Sequence, residues 1–117
     1  MESNTQAITR LVSEIESLLD TADGHALSTQ AGKLAIHLER LLENKADAKR
    51  RKNVSYANEY QKARQTESQG DAKISADAKK STEYDQIEAI ESGIKSILST
   101  VKDKLHWLEL ENLNKKF

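Results

Sequence analysis

The chain has no cysteine and no proline, only four glycines in 117 residues, and five aromatic side chains. Without cysteine there are no disulfides, no thiolate metal sites and no cysteine nucleophile. Without proline, and with so little glycine, almost nothing interrupts continuous helix. The aromatics are Tyr56, Tyr60, Tyr84, Trp107 and Phe117. So few argue against a broad globular core and for a narrow seam of leucine and isoleucine. No apolar run approaches the roughly 18 residues of a membrane span, and the polar, acidic amino terminus does not resemble a signal peptide. The expectation is a cytoplasmic protein with no membrane partner.

What is present is charge and helical periodicity. Charged residues make up 32% of the chain and hydrophobic residues 37%, and the net charge of −1 is unevenly spread. Residues 1–44 carry three basic and seven acidic side chains, residues 45–64 seven and two, and residues 65–117 eight and ten. One cationic segment therefore lies between two acidic ones, and local sign decides which polyion a surface attracts.

The length fits a single domain. Ser3 with Gln6 has the spacing of a capping box, and Ile8, Leu11, Val12, Ile15, Leu18, Leu19 and Ala22 recur at threes and fours, so a first helix is predicted over about 4–23. Asp23 and Gly24 are read as its end, and His25, Ala26 and Leu27 as a short turn. Ser28 or Thr29 then opens a second helix of about 29–69, with an early stripe of Ala31, Leu34, Ala35, Leu38, Leu41 and Leu42. Continued at alternating fours and threes, that stripe runs through Ala46, Lys49, Asn53, Tyr56, Tyr60 and Ala63, which makes the seam thin and partly polar. Residues 70–81 read as a loop or short helix after Gly70. Thr82 with Asp85 suggests another capping box, opening a third helix of about 82–115. Its stripe is Tyr84, Ile87, Ile90, Ile94, Ile97, Leu98, Val101, Leu105 and Leu108.

These pieces predict an all-α protein: a long antiparallel helical hairpin, coiled-coil-like, with a shorter amino-terminal helix packed at its base. Helix 1 is expected to cover the Leu34–Leu42 end and the Ile97–Leu113 end, with Trp107 closing the base against it or, if exposed, serving as an interface anchor. The far part of the hairpin would bury little area, so a second subunit or mobility is expected there, and a homo-oligomer with it.

No pattern names a reaction. There is no glycine-rich phosphate loop, and His25, His37 and His106 lack the paired carboxylates of a zinc or di-iron helix site. No catalytic residue, metal or cofactor is predicted. The segment "KADAKRRKNVSYANEYQKAR" remains. It places Lys45, Lys49, Arg50, Arg51, Lys52, Lys62 and Arg64 within twenty residues. They form either a solvated helix face or a set of phosphate contacts that release counterions from a nucleic acid. Lys49 and Asn53 are read as register-setting polar seam positions or as groove lining. Tyr56 and Tyr60, one turn apart, pack on Tyr84 or Ile87, or stack unpaired bases if they face outward.

The run from "YANEYQKAR" through "TESQGDAKISADAKKSTEYDQIEAI" to "KDKLHWLEL", roughly residues 54–110, resembles small helical proteins of tailed phages encoded among early DNA-metabolism and recombination genes. The resemblance is one of pattern and assigns no functional residue. It implies a non-enzymatic accessory factor that works near DNA, in recombination or replication. The other readings are a helical inhibitor or adaptor that binds a host or phage enzyme, and a self-assembling structural coil.

Overall fold

The structure, a computed structural model, describes residues 1–116. Among these the protein is all-α, with five helices: α1 (Asn4–Leu18), α2 (Gly24–Glu43), α3 (Lys45–Ala63), α4 (Gln69–Lys79) and α5 (Glu83–Lys116). They divide between two compact units. The first comprises Met1–Leu41 and the chain from Ile90 onward, and the second comprises Leu42–Ala89. Both α2 and α5 contribute residues to each unit.

In the first unit α1 starts at the expected capping box: the Gln6 amide donates to Ser3 Oγ at 3.1 Å, and the Ser3 amide donates to Gln6 Oε1 at 2.9 Å. Two contacts fix α1 antiparallel to α2. Asn4 meets His37, its Nδ2 donating to the His37 carbonyl at 3.2 Å, while Gln30 Nε2 donates to Glu14 Oε2 at 3.0 Å. Ile8 and Val12 share a groove with Ile90, Ile94 and Ile97 of α5, to which α1 runs parallel because both are antiparallel to α2. The core is Ile8, Leu11, Ile15, Leu27, Leu34, Leu41, Ile94 and Val101, all buried. Removing each of these side chains from water contributes about 1.5–3 kcal/mol.

The turn between α1 and α2 falls earlier than the sequence suggested. Helix α1 ends at Leu18, and α2 begins at Gly24 because Asp23 Oδ1 accepts the Ala26 amide at 3.0 Å, the work of an N-cap. His25, Ala26 and Leu27 are therefore helical, and Leu27 is wholly buried. No glycine has a positive φ. Gly24 lies against α5, where a β-carbon would be in ordinary contact with Leu105 at 3.4 Å and Leu108 at 3.6 Å. That contact also shows α2 antiparallel to α5, its first residue lying beside Leu105 and Leu108.

The predicted continuous helix over 29–69 is divided at Asn44, whose φ of −94° and ψ of −3° depart from helical values. Asparagine competes with the helical backbone through its own amide, which suits it to such a junction. The buried positions nevertheless keep a spacing of seven, Leu27, Leu34, Leu41 and Ala48. The polar seam predicted beyond Leu42 is thereby shifted. Ala46, Lys49 and Asn53 are exposed, whereas Ala48 is buried and Lys45, Lys52 and Ser55 are half-buried. Counting seven from Leu41 reaches Ala48; counting four from Leu42 reaches the wrong face.

In the second unit α3 packs on α4, and α4 and the first turn of α5 together run back along α3. Ser81 lies against Ser55, its amide donating to Ser55 Oγ at 2.8 Å, and Glu83 lies against Arg51. Helix α3 ends at Ala63, short of residue 69, because Arg64 Nη1 donates to the Glu67 carbonyl at 2.8 Å and Ser68 Oγ accepts the Asp71 amide, opening α4. The buried set here is Ala48, Ala72, Ala76 and Ile87. Alanines at 72 and 76, one turn apart on one face, permit a close approach to α3 but bury little surface each.

Helix α1 spans 15 residues, about 22 Å, whereas α5 from Ile90 to Lys116 is about 40 Å long. Set against Ile90 at its start, a helix of that length ends well before Leu113, so α1 covers at most the beginning of the predicted Ile97–Leu113 stretch. Trp107 is consequently 53% exposed and does not close the base of a bundle.

Candidate nucleic-acid interface

The seven cations nominated from sequence lie on α3 and at its carboxyl-terminal cap, in the second unit. The helix turns them in different directions. Ala48 and Ser55 mark the inward side. Lys45 and Lys52 lean toward it, Arg50 and Arg64 point away, and Arg51, Asn58 and Lys62 share one flank.

Tyr84, in the first turn of α5, collects the inward group. The ammonium groups of Lys45, Lys49 and Lys52 stand 5.9, 6.0 and 5.3 Å from its ring centroid. Each such contact is worth about 0.5–1 kcal/mol at an exposed site, and three like charges around one ring repel one another, so the three do not add. The phenol donates to Glu88, which holds the Tyr84 pKa above its usual value, with burial acting in the same direction; the Lys45 charge opposes this and loses. Lys52 is further fixed by Asp85, Nζ to Oδ1 at 2.7 Å. Asp85 thus answers α3 rather than completing the capping box expected with Thr82.

The outward group is more open. Arg51 donates through both Nε and Nη2 to Glu83 Oε2, at 3.1 and 2.8 Å. The Arg50 side chain is 72% exposed, with Asp47 at 3.9 Å. Arg50, Arg51, Val54, Ser55 and Asn58 line an open recess of about 370 Å³, closed by Ser81 and Glu83 from the chain entering α5. Lys62 is exposed along the same flank, beside a second recess with Glu67, Ser75 and Lys79. From Arg51 to Lys62 the rise along the axis is about 16 Å.

Comparison with family models, curated proteins and solved structures finds no match. Among the described residues no three histidines, aspartates or glutamates converge as a metal-holding group, and no helix is long and apolar enough to cross a membrane.

Tyr56 and Tyr60 stack on each other, with ring centroids 6.5 Å apart and planes 11° apart, and both are half-buried. Each ring thus meets its neighbour one turn away. Lys80 sits nearby, its pKa raised chiefly by the hydrogen bond to Asp77.

Sequence reasoning missed the counter-charges. Glu83 and Asp85 lie 32 and 33 residues downstream of the cations they pair with. A signal was present: in "STEYD" two acids alternate around a tyrosine at a helix start, a short acidic edge able to face a basic one. Once folded, the second unit holds ten basic and nine acidic side chains, a net +1, where the linear segment 45–64 had seven and two.

Proposed function

We propose that the protein is a non-enzymatic accessory factor that contacts nucleic-acid backbone through the outer flank of α3, in DNA recombination or replication. The carrying observation is the recess where Arg50 and Arg51 stand exposed beside Ser55, Asn58 and Ser81, with Lys62 farther along the flank. Guanidinium, hydroxyl and amide donors around an open, shallow surface suit phosphate oxygens. The pattern resemblance to small phage proteins supports the setting near DNA. The intramolecular partners of these cations do not forbid the contact, because an exposed ion pair contributes about 0–1 kcal/mol and a phosphate can displace it.

Lys45, Lys49 and Lys52 are turned to the Tyr84 side, which leaves Arg50, Arg51 and Lys62 as the principal set, with Arg64 at the margin. Three phosphate contacts give a salt exponent of about −2.7 on duplex and −2.1 on single strands. Between 50 and 200 mM salt the affinity should drop about fortyfold on duplex and about twentyfold on single strands. Fluorescence anisotropy with labelled oligonucleotides measures this. No binding at 50 mM salt, or binding indifferent to Arg50→Glu/Arg51→Glu, would end the proposal.

A second reading, an adaptor or inhibitor for an enzyme, is favoured by the near balance of charge in the second unit. Interspersed signs suit a protein surface better than a polyanion. A partner recovered from lysate after nuclease digestion, together with absent oligonucleotide binding, would select it.

A further inference from the structure

The face of α5 turned away from the first unit's core carries Trp107, Leu110 and Leu113, which are 53%, 46% and 49% exposed. The spacing of three puts them on one stripe, opposite the inward stripe of Val101, Leu105 and Leu108. Gly24, the first residue of α2, lies level with Leu105 and Leu108. Helix α1, 15 residues long and sharing a groove with Ile90–Ile97, ends well before Leu110 and Leu113. The last two turns of α5 thus run past both neighbours, and a helix end without a tertiary partner is marginal in water.

We infer that a second copy of this chain covers that stripe, its α5 crossing antiparallel near Trp107. The charges beside the stripe select the orientation. Lys102 and Glu109 lie on one flank, Lys104 and Glu111 on the other, and on both flanks the lysine precedes the glutamate by seven residues. Two such helices side by side and parallel set lysine beside lysine and glutamate beside glutamate. Turned antiparallel about an axis near Trp107, each lysine meets a glutamate of the other copy, four times over, as a two-fold interface requires. The Lys102 and Glu109 flank also borders an apolar groove of about 670 Å³ floored by Leu98, Leu105 and Leu108, space that side chains of the second helix can enter. Lys104, whose ammonium lies 5.2 Å from the Trp107 ring centroid, already holds a cation on the aromatic face at the crossing.

About three turns of helix per copy bury less than the roughly 1,200 Å² of a standard interface, so the dimer is weak and concentration-dependent. Sedimentation equilibrium between about 20 μM and about 1 mM should show the mean mass rising toward that of two chains. Lys102→Glu/Lys104→Glu should weaken the association at least tenfold, and adding Glu109→Lys/Glu111→Lys to the same chain should restore it, with helicity by circular dichroism unchanged throughout. Because the natural chain has no cysteine, orientation can be read from single thiols. His106→Cys should form a disulfide dimer on mild oxidation, whereas Asn114→Cys, about 20 Å from its mate in the antiparallel crossing, should not. A monomer throughout the range, failure of the four-fold charge swap to restore association, or ready cross-linking by Asn114→Cys would each overturn the inference. None of these outcomes depends on nucleic-acid binding, which is read separately on α3.

Discussion

Glu83 lines the recess proposed here for a phosphate. Its carboxylate accepts two hydrogen bonds from the Arg51 guanidinium, so at residue scale it competes with any anion for the recess. Glu83→Gln should tighten oligonucleotide binding about two- to fivefold at 50 mM salt, the range that an exposed ion pair spans, and the same anisotropy assay reads it. A neutral effect would mean that Arg51 does not reach the ligand. Tyr84 offers a second test. Hydrogen bonding to Glu88 raises its phenol pKa; the proton is held more tightly in the folded state, so the associated stability is complete below the ordinary tyrosine pKa near 10 and fades as pH rises through the folded value. Ultraviolet titration should show one tyrosine ionising above that value, and Glu88→Ala should bring it down. At the amino terminus the sign reverses. The hydrogen bond from Arg10 lowers the Glu2 pKa, so that contribution is present above the usual glutamate value and disappears as pH falls through the folded one. The basic side chains were legible as residues; their partners were not, because no local rule links Arg51 to an acid 32 positions later.

At the scale of elements, the buried spacing of seven from Leu27 to Ala48 crosses a helix boundary without losing phase. Asn44 is exposed and its side chain makes no capping hydrogen bond, so it contributes shape rather than contacts. Asn44→Ala should raise stability to urea by about 0.5 kcal/mol through helix propensity alone; a loss instead would mean that the bend is required for packing. Ser68 is the opposite case. Its hydroxyl accepts the Asp71 amide at 3.2 Å, and Ser68→Ala should cost about 1 kcal/mol, measured as faster amide exchange in α4. Helix existence was readable in the sequence from periodicity and from caps such as Ser3 with Gln6. The boundaries at Leu18, Gly24 and Asn44 were harder, since Asp23 looks equally like a terminator and an N-cap, and Gly24 was read as a helix end although no described residue has a positive φ. Trp107 was assigned inward because it neighbours two core leucines in sequence. The short reach of α1, which depends on where that helix ends, decides otherwise.

Across the whole molecule the two units differ in what they bury. Six wholly buried large side chains, Leu11, Ile15, Leu27, Leu34, Ile94 and Val101, belong to the first, whereas the second relies on three alanines and Ile87. Leu34→Ala should therefore destabilise the first unit by about 2–5 kcal/mol. In native-state hydrogen exchange the slowest amides should fall around Leu34 and in Ile94–Val101, with α4 opening well before them. If α4 proved as protected as α2, the alanine core would be stronger than its area suggests. The charge division points the same way functionally: the better-packed unit holds eight basic and ten acidic residues, and the looser one carries the slight positive excess. The cations assigned to binding thus belong to the part of the chain whose order is least expensive to change.

The turn between Ala63 and Gln69 has one further consequence, for the protein under attack by a protease. Trypsin should cleave first at Lys62, Arg64 or the α4 lysines, within the thinly packed unit, and leave two peptides. Because Leu27 and Leu34 on one and Ile94 and Val101 on the other share a core that the cut does not touch, the severed halves should stay together and elute from a sizing column as one species until denaturant is added.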